Sequence, residues 1–157
     1  MTAPKGHALI TGASKGIGKE IAIALAAQGW PLLLVARSAD LLTALQADLE
    51  TRFKVSVVTF AADLALPEVP GQLLALCKAN GIAIQILVNN AGYGVWDKFE
   101  KADLAEIEGM NALNVIALVR MCHVFIPLLR QHPRSYLLNV GSLGAFQPLP
   151  YMANYGA

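Results

Sequence analysis

The chain has 157 residues, of which 55% are apolar and 15% are charged, and its formal net charge is +1. This length allows one domain that buries most of its apolar surface, and the apolar content excludes intrinsic disorder. Because 12 basic residues are balanced by 11 acidic ones, the composition provides no polybasic surface, and we expect neither a nucleic acid nor a membrane as a partner.

Short apolar runs alternate along the chain with longer segments of helical periodicity. Five runs of strand length are apolar throughout, as expected of parallel strands covered on both faces: residues 7–11, 31–36, 55–61, 84–89 and 136–140. Four segments have helical periodicity and are bounded by glycine or serine: residues 17–28, 40–51, 69–80 and 104–131. This order predicts an α/β fold with a doubly wound parallel sheet, in a single domain over residues 1–157.

The last helical segment contains the most apolar stretch of the chain, residues 112–129. Asn114, Arg120, His123 and Pro127 interrupt this stretch, and an arginine is costly at the centre of a bilayer. We therefore predict a buried core helix rather than a membrane span. Pro127 is expected to kink its final turn.

The start of the chain and the two cysteines bear on the cellular compartment. The first residues lack the apolar stretch of a signal peptide. Cys77 and Cys122 are too few and too far apart for a disulfide framework or a zinc site, and both lie in apolar stretches. We therefore expect a cytoplasmic protein with reduced, buried cysteines and no bound metal.

A glycine-rich loop, TGASKGIG at residues 11–18, directly follows the first predicted strand. Gly12 permits a tight turn, Gly16 permits a phosphate to approach the backbone, and Gly18 permits the next helix to pack closely on the sheet. The free N–H groups at the start of that helix attract an anion. The loop thus predicts a dinucleotide site formed by Gly12, Ser14, Lys15, Gly16, Ile17 and Gly18.

Other interpretations of the same loop are open. The glycines would also suit a plain turn from strand to helix. A phosphate-binding P-loop is excluded, because Gly16 is followed by Ile17 and Gly18 by Lys19 and Glu20, so the hydroxyl residue that such a loop needs is missing. GASKG at residues 12–16 also matches the GxSxG nucleophile elbow of hydrolases, with Ser14 as nucleophile and His123 or His132 as its base. A serine hydrolase is therefore an alternative, although neither histidine lies in a loop after a predicted strand.

The sequence TGASKGIG resembles the TGxxxGxG cofactor loop of the short-chain dehydrogenase/reductase family. Directly after the fourth predicted strand, NNAG at residues 89–92 is similar to a second motif of that family. The resemblance extends over essentially the whole chain. It implies a Rossmann fold of three α/β/α layers, oxidoreductase activity, and a nicotinamide dinucleotide that contacts Asn90, Ala91 and Gly92.

The end of the second predicted strand bears on which nicotinamide cofactor binds. NAD-preferring sites carry an acidic residue there, which bonds the ribose 2′-hydroxyl and would repel a 2′-phosphate. This chain has Arg37 at that place, and Lys15 in the glycine loop adds a second cation. Each could be a plain solvated side chain, but together with the missing acid they predict a preference for NADP(H) over NAD(H).

Asp63 and Leu64 follow the third predicted strand. They resemble the pair that contacts the adenine in the family. A second interpretation is that Asp63 caps the N-terminus of the next helix, which begins a few residues later.

The resemblance also identifies the reacting groups. Ser142 follows the fifth predicted strand, Tyr155 comes after it at the family's spacing, and Asn114 matches the family's catalytic asparagine. Reduction of a carbonyl adds a hydride to carbon and a proton to oxygen, so a phenol suits the general acid and a hydroxyl suits the polarising donor. We therefore expect Tyr155 as general acid/base, Ser142 as the polarising group and Asn114 as holder of a water. The substrate would be a small-molecule carbonyl or alcohol.

One element of the family's pattern lies outside the chain. The family's lysine, which lowers the pKa of the catalytic tyrosine, would fall at position 159, beyond Ala157. We therefore expect that the C-terminal part of the fold is missing. The alternative is a dinucleotide-binding module without turnover.

Two further expectations concern the surface. The helix at residues 104–131 resembles the one through which family members pair, which implies a homodimer or homotetramer. Tyr93, Trp96 and Phe99 follow the fourth predicted strand. They either line an apolar substrate pocket or pack on the edge of the sheet.

Overall fold

The computed structural model describes residues 5–157. Over these residues, five parallel strands form one sheet: β1 (His7–Thr11), β2 (Leu32–Ala36), β3 (Val57–Ala61), β4 (Ile84–Asn89) and β5 (Tyr136–Asn139). Their order in the sheet is β3-β2-β1-β4-β5, so the direction of strand addition reverses between β1 and β4. The predicted doubly wound parallel sheet is confirmed, and the strand ends lie close to the predicted ones.

Helices connect the strands and cover the sheet. The first three connections contain α1 (Gly16–Ala27), α2 (Ala39–Phe53) and α3 (Val69–Ala79), each close to its predicted range. A single 3-10 turn, Leu143–Phe146, and the short helix Ala153–Gly156 follow β5.

The fourth predicted helix is continuous from Leu104 to Leu129 but is not uniform. It consists of α4 (Leu104–Asn111), a π-helical segment (Ala112–Ala117) and α5 (Leu118–Leu129). Pro127 lies inside α5, in its final turn. The last helix of the described residues, Ala153–Gly156, is therefore α6.

Successive strand residues point into two different apolar cores, one on each side of the sheet. Ile10 and Leu34 pack with residues of α1 and α2. Leu9 and Leu33 pack on the other side with residues of α3 and α5, among them Phe125. All five are fully buried. The result is the expected three-layer α/β/α Rossmann arrangement.

The strand β5 departs from the prediction that every strand is covered on both faces. Tyr136, Leu137 and Leu138 are each 44–47% exposed. The reason is position, because β5 is the last strand of the sheet among residues 5–157 and pairs only with β4 there. Apolar composition alone therefore overestimated how deeply this strand is buried.

The long helix is buried on one face only, so the predicted buried helix is correct for that face alone. Met121 and Phe125 are at most 1% exposed, whereas Val115, Ile116 and Val119 are 45–57% exposed. By length and composition alone, the helix from Leu104 to Leu129 would be able to cross a membrane, and 22% of its most apolar window is buried. Its buried face packs on β4 and α3.

Candidate active site

A cleft of about 780 Å³ opens at the carboxyl ends of the strands, where the strand order reverses. Ligands of open α/β sheets bind at this point. Loops after all five strands contribute to its walls. With the exception of Gly18, every predicted site residue lines the cleft: Gly12, Ser14, Lys15, Gly16, Ile17, Arg37, Asp63, Leu64, Asn90, Ala91, Gly92, Asn114, Ser142 and Tyr155.

The glycine loop has backbone conformations that favour glycine. Gly12 and Gly16 have φ angles of +65° and +57°. A Cβ at Gly12 would lie 2.9 Å from the Cα of Ala91, so a side chain does not fit there. At Gly16, a Cβ would meet no atom of residues 5–157 within 4 Å, which leaves the backbone open to a ligand. The loop leads into α1, whose first N–H groups lack helical acceptors and favour an anion. These features fit the diphosphate of a dinucleotide.

Gly18 contacts the protein rather than the cleft. A Cβ at Gly18 would clash with the carbonyl oxygen of Gly12 and would lie 2.5 Å from the Nδ2 of Asn90. The close packing of α1 that we predicted for Gly18 is therefore confirmed. Its effect on a bound ligand is indirect, through the position of the loop.

Thr11 joins the glycine loop to the NNAG motif. Its hydroxyl oxygen, in a residue only 2% exposed, accepts hydrogen bonds from the backbone N–H groups of Asn90 (2.9 Å) and Ala91 (3.0 Å). The same hydroxyl donates to the carbonyl of Val88 at 3.2 Å. The Asn90 side chain donates to the carbonyls of Thr11 (3.0 Å) and Gly12 (3.3 Å). Each motif thus holds the other in place.

The cleft carries an excess of positive charge near the loops that follow β1 and β2. Lys15 and Arg37 are exposed and line it. Asp63 is the only acidic residue among the lining residues in the described part of the chain. This charge distribution suits a phosphate group better than an uncharged ribose.

The position of Asp63 decides between its two interpretations. The helix α3 begins at Val69 and its N-cap is Glu68, so Asp63 does not cap this helix. Instead, Oδ1 of Asp63 accepts a hydrogen bond from the N–H of Ala65 at 3.0 Å, which stabilises a turn before the helix. The N-cap interpretation is wrong, and the carboxylate remains at the wall of the cleft. Leu64, 5% exposed, belongs mainly to the core.

Ser142 and Tyr155 both come close to Gly144. A Cβ on Gly144 would lie 3.3 Å from the Oγ of Ser142 and from Cε1 of Tyr155, and only 2.6 Å from Cδ1 of Leu149, so a side chain there would crowd its neighbours. The N–H of Gly144 donates to the Oγ of Ser142 at 3.1 Å. Because that oxygen acts as acceptor in this bond, the Ser142 O–H is still available as a donor to a substrate.

Asn114 lies in the π-helical segment, which sequence analysis missed because no residue in it breaks the helical pattern. Its side chain accepts from the N–H of Tyr93 at 3.1 Å and donates to the Tyr93 carbonyl at 2.8 Å. Asn114 thereby holds the loop after β4, in which Gly94 lies next to the ring of Tyr155. Single π-helical turns in α-helices are frequent at functional sites.

A model of the short chain dehydrogenase family matches residues 6–157. The chain belongs to the short-chain dehydrogenase family. Among the curated relatives, the very-long-chain 3-oxoacyl-CoA reductase of Pyrenophora tritici-repentis is 35% identical in an alignment 157 positions long, which covers 97% of this chain and 46% of that protein. The protein of the same name from Kluyveromyces lactis is 30% identical, and the match covers 95% of this chain and 45% of that protein. The chain therefore spans about half the length of the curated relatives it matches.

Solved structures of short-chain dehydrogenases have the same fold. The L-sorbose reductase of Gluconobacter frateurii, complexed with NADPH and L-sorbose, is 33% identical with a TM-score of 0.91, and the match covers 97% of this chain and 58% of that one. The alcohol dehydrogenase of Thermococcus sibiricus, complexed with 5-hydroxy-NADP, is 29% identical with a TM-score of 0.92. This match covers 98% of this chain and 65% of that one. Several solved relatives are thus complexes with NADP(H) or a derivative.

The serine hydrolase alternative does not agree with the geometry of this short-chain dehydrogenase. Ser14 lines the cleft, but no histidine among residues 5–157 does. His132 lies near the opposite end of the sheet, with its Cε1 3.1 Å from the place of a Cβ on Gly6, just before β1. His123 lies within α5. Ser14 consequently has no base within reach.

The NNAG motif also stabilises the sheet, through its first asparagine. Asn89, only 5% exposed, donates from Nδ2 to the Oδ1 of Asn139 at 2.9 Å and to the sulfur of Cys122 at 3.3 Å, which links β4, β5 and α5.

The three aromatic residues after β4 have different surroundings. Tyr93 lines the cleft, as one of the two interpretations predicts. Trp96 and Phe99 are 69% and 64% exposed, so they do not pack on the sheet edge, and they are not among the residues that line the cleft.

Proposed function

We propose that the protein containing this chain is an NADP(H)-dependent oxidoreductase that interconverts a small-molecule carbonyl and an alcohol. The observation that carries this proposal is that Ser142 and Tyr155 both come close to Gly144 and both line the cleft that also contains the glycine loop. Because the chain spans about half of its curated relatives, the activity is proposed for the whole protein.

The residues of the cleft fit the diphosphate and the adenosine part of a nicotinamide dinucleotide. The backbone from Gly12 to Ile17 and the start of α1 would hold the diphosphate. Arg37 and Lys15 would pair with the 2′-phosphate, which is the basis for the proposed preference for NADP(H). The remaining contacts would be to the adenine and its ribose, from Asp63, Leu64, Asn90, Ala91 and Gly92.

When bound, the dinucleotide supplies or accepts the hydride. The Tyr155 hydroxyl would donate a proton to the substrate oxygen during reduction and remove it during oxidation. Ser142 would donate a hydrogen bond to the same oxygen and stabilise the developing negative charge. The side-chain amide of Asn114 forms one hydrogen bond as acceptor and one as donor with the backbone of Tyr93. It therefore still has one N–H and one lone pair with which to hold a water.

A phenol with a pKa of about 10 is poorly matched to neutral pH and needs a neighbouring positive charge. In the family this charge comes from a lysine four residues after the tyrosine, equivalent to position 159. The proposal therefore includes a cation that is supplied from outside residues 1–157.

The test is the substitution Tyr155→Phe in the whole protein. Turnover of carbonyl substrates, followed by oxidation of NADPH, is expected to fall by about 10²- to 10⁴-fold because only the proton donor is removed. The Kd for NADPH should change less than twofold. Tyr136→Phe, which removes an exposed hydroxyl from β5, is the matched control. Full turnover by Tyr155→Phe would refute the proposal, and NADPH binding without turnover in the unaltered protein would leave a dinucleotide-binding module.

The assembly and the location of the protein are further proposals. Val115, Ile116 and Val119 form an apolar strip on the exposed face of the long helix. Such strips favour association, which supports a homodimer or homotetramer. The cytoplasmic location remains a prediction from the sequence.

A further inference from the structure

Two aromatic side chains near the cleft stack on each other while remaining exposed. The ring centroids of Trp96 and Tyr151 are 6.1 Å apart, with an angle of 27° between the ring planes. Trp96 is 69% exposed and Tyr151 is 50% exposed. Large aromatic side chains contribute much more free energy when they are covered than when they face water. The stack therefore presents an apolar surface that a ligand would cover.

The stack connects two loops that flank the reacting tyrosine. Trp96 belongs to the loop after β4 and Tyr151 to the segment between β5 and α6. The N–H of Asp97 donates to the carbonyl of Tyr151 at 3.0 Å, which ties the two loops together.

The backbone of Tyr151 is strained. Its φ is +64°, in the left-handed region, which an aromatic residue rarely adopts. Such a conformation persists only where surrounding contacts hold it, and it is common at ligand-binding positions. Here the bond to Asp97 and the stack on Trp96 hold it.

Trp96 and Tyr151 are not among the residues that line the cleft, but the two loops that carry them approach each other beside Tyr155. Met152, the neighbour of Tyr151, places its Cε 2.6 Å from the site of a Cβ on Gly94. The ring of Tyr155 comes within 3.3 Å of the same point. A substrate whose carbonyl reached Tyr155 would therefore lie next to the two loops that carry the stacked rings.

We propose that Trp96 and Tyr151 form an aromatic clamp that binds an apolar alkyl or aryl substituent of the carbonyl substrate. The clamp rests on the proposed function and adds the substrate class to it. Aromatic rings contribute to binding mainly through the apolar area that they bury. Leu143 and Phe146, which are 79% and 88% exposed, add further apolar side chains to the segment that contains Tyr151.

The test compares three ketones with the whole protein and NADPH: acetone, acetophenone and dihydroxyacetone. We expect kcat/KM for acetophenone to exceed that for acetone by about tenfold or more, as burial of an aryl group predicts. Trp96→Ala and Tyr151→Asn should each reduce the acetophenone value by about tenfold and the acetone value less than twofold. Asparagine is chosen because it tolerates a positive φ.

Phe99→Ala is the matched control, because Phe99 is 64% exposed on the same loop and forms no aromatic stack within the described residues. It should leave both values unchanged, and thermal melting should show that all variants fold. Equal losses on both ketones, an equal loss in Phe99→Ala, or a preference of the unaltered protein for dihydroxyacetone would overturn the clamp alone. If the unaltered protein reduces none of the ketones, the proposed function fails, and the clamp fails with it.

Discussion

At the scale of single residues, Thr11 explains how two motifs distant in sequence form one site. Its hydroxyl accepts from the backbone of Asn90, 79 positions further along the chain, and Asn90 in turn donates to the loop that begins at Gly12. A buried N–H without a partner costs about 1–3 kcal/mol, so each of these bonds fixes the geometry strongly. Sequence analysis identified Asn90 as a ligand contact but did not foresee this supporting role.

Arg37 carries the residue-scale prediction. Arg37→Asp is expected to weaken NADPH binding by about 10- to 100-fold, because it replaces a charge-assisted pair with the 2′-phosphate by a repulsion. NADH binding should improve or stay constant, since a carboxylate there can bond the ribose hydroxyls. Both Kd values can be measured by fluorescence titration.

The control for this change is Arg134→Asp, which makes the same charge change at an exposed arginine outside the cleft. It should leave both Kd values within twofold. A ratio of NADPH to NADH affinity that Arg37→Asp leaves unaltered would contradict the assignment of the 2′-phosphate site.

At the scale of elements, the packing of α1 on the first loop determines the shape of the dinucleotide site. Gly18 brings the helix against the carbonyl of Gly12, while Gly16 leaves the helix N-terminus open. The long helix has a similar double function, because Phe125 packs on the sheet while the π-helical turn presents Asn114 to the loop after β4. Both elements combine core packing with placement of a site residue.

Gly18→Ala tests this packing. The added methyl clashes with the loop, and we expect a loss of about 1–3 kcal/mol in the free energy of unfolding together with weaker NADPH binding. Gly71→Ala is the comparison, because a Cβ at this helical position in α3 would meet no atom of residues 5–157 within 4 Å. That change should raise the free energy of unfolding by about 0.5–1 kcal/mol. Urea denaturation measures both values, and equal effects at the two glycines would disprove close packing at Gly18.

At the scale of the whole molecule, two apolar cores stabilise the sheet, and one of them contains a thiol. Cys77, 1% exposed in α3, packs with the strands and α5. Burial raises the pKa of this thiol from 9.0 to about 11. The folded protein therefore keeps the proton at pH values where the unfolded chain releases it.

The stability of the fold should consequently decline with rising pH. The contribution of Cys77 to the free energy of unfolding is complete below pH 9.0 and is lost as the pH rises toward 11. This loss amounts to at most about 1.4 kcal/mol per pH unit. Cys77→Ala should show a shallower decline than the unaltered protein in urea denaturation between these pH values. Cys122→Ala, the control thiol, should keep the original slope. Identical slopes in all three proteins would disprove this linkage.

Sequence alone predicted the strand order along the chain, the glycine loop and the candidate reacting residues. These were predictable because apolar periodicity and short motifs are local properties of the chain. The role of Asp63 could not be decided in this way, since capping depends on where the next helix begins. For Asp63, the start of α3 at Val69 decided against the cap.

The tertiary structure alone decided which surfaces are covered and which distant groups meet. It placed β5 at the sheet edge, with Leu138 47% exposed, and it stacked Trp96 on Tyr151. It also brought Ser142 and Tyr155 close to Gly144. The physical reason is that burial and contact depend on neighbours contributed by other parts of the chain, whereas the hydropathy of a segment records only its own preference for water.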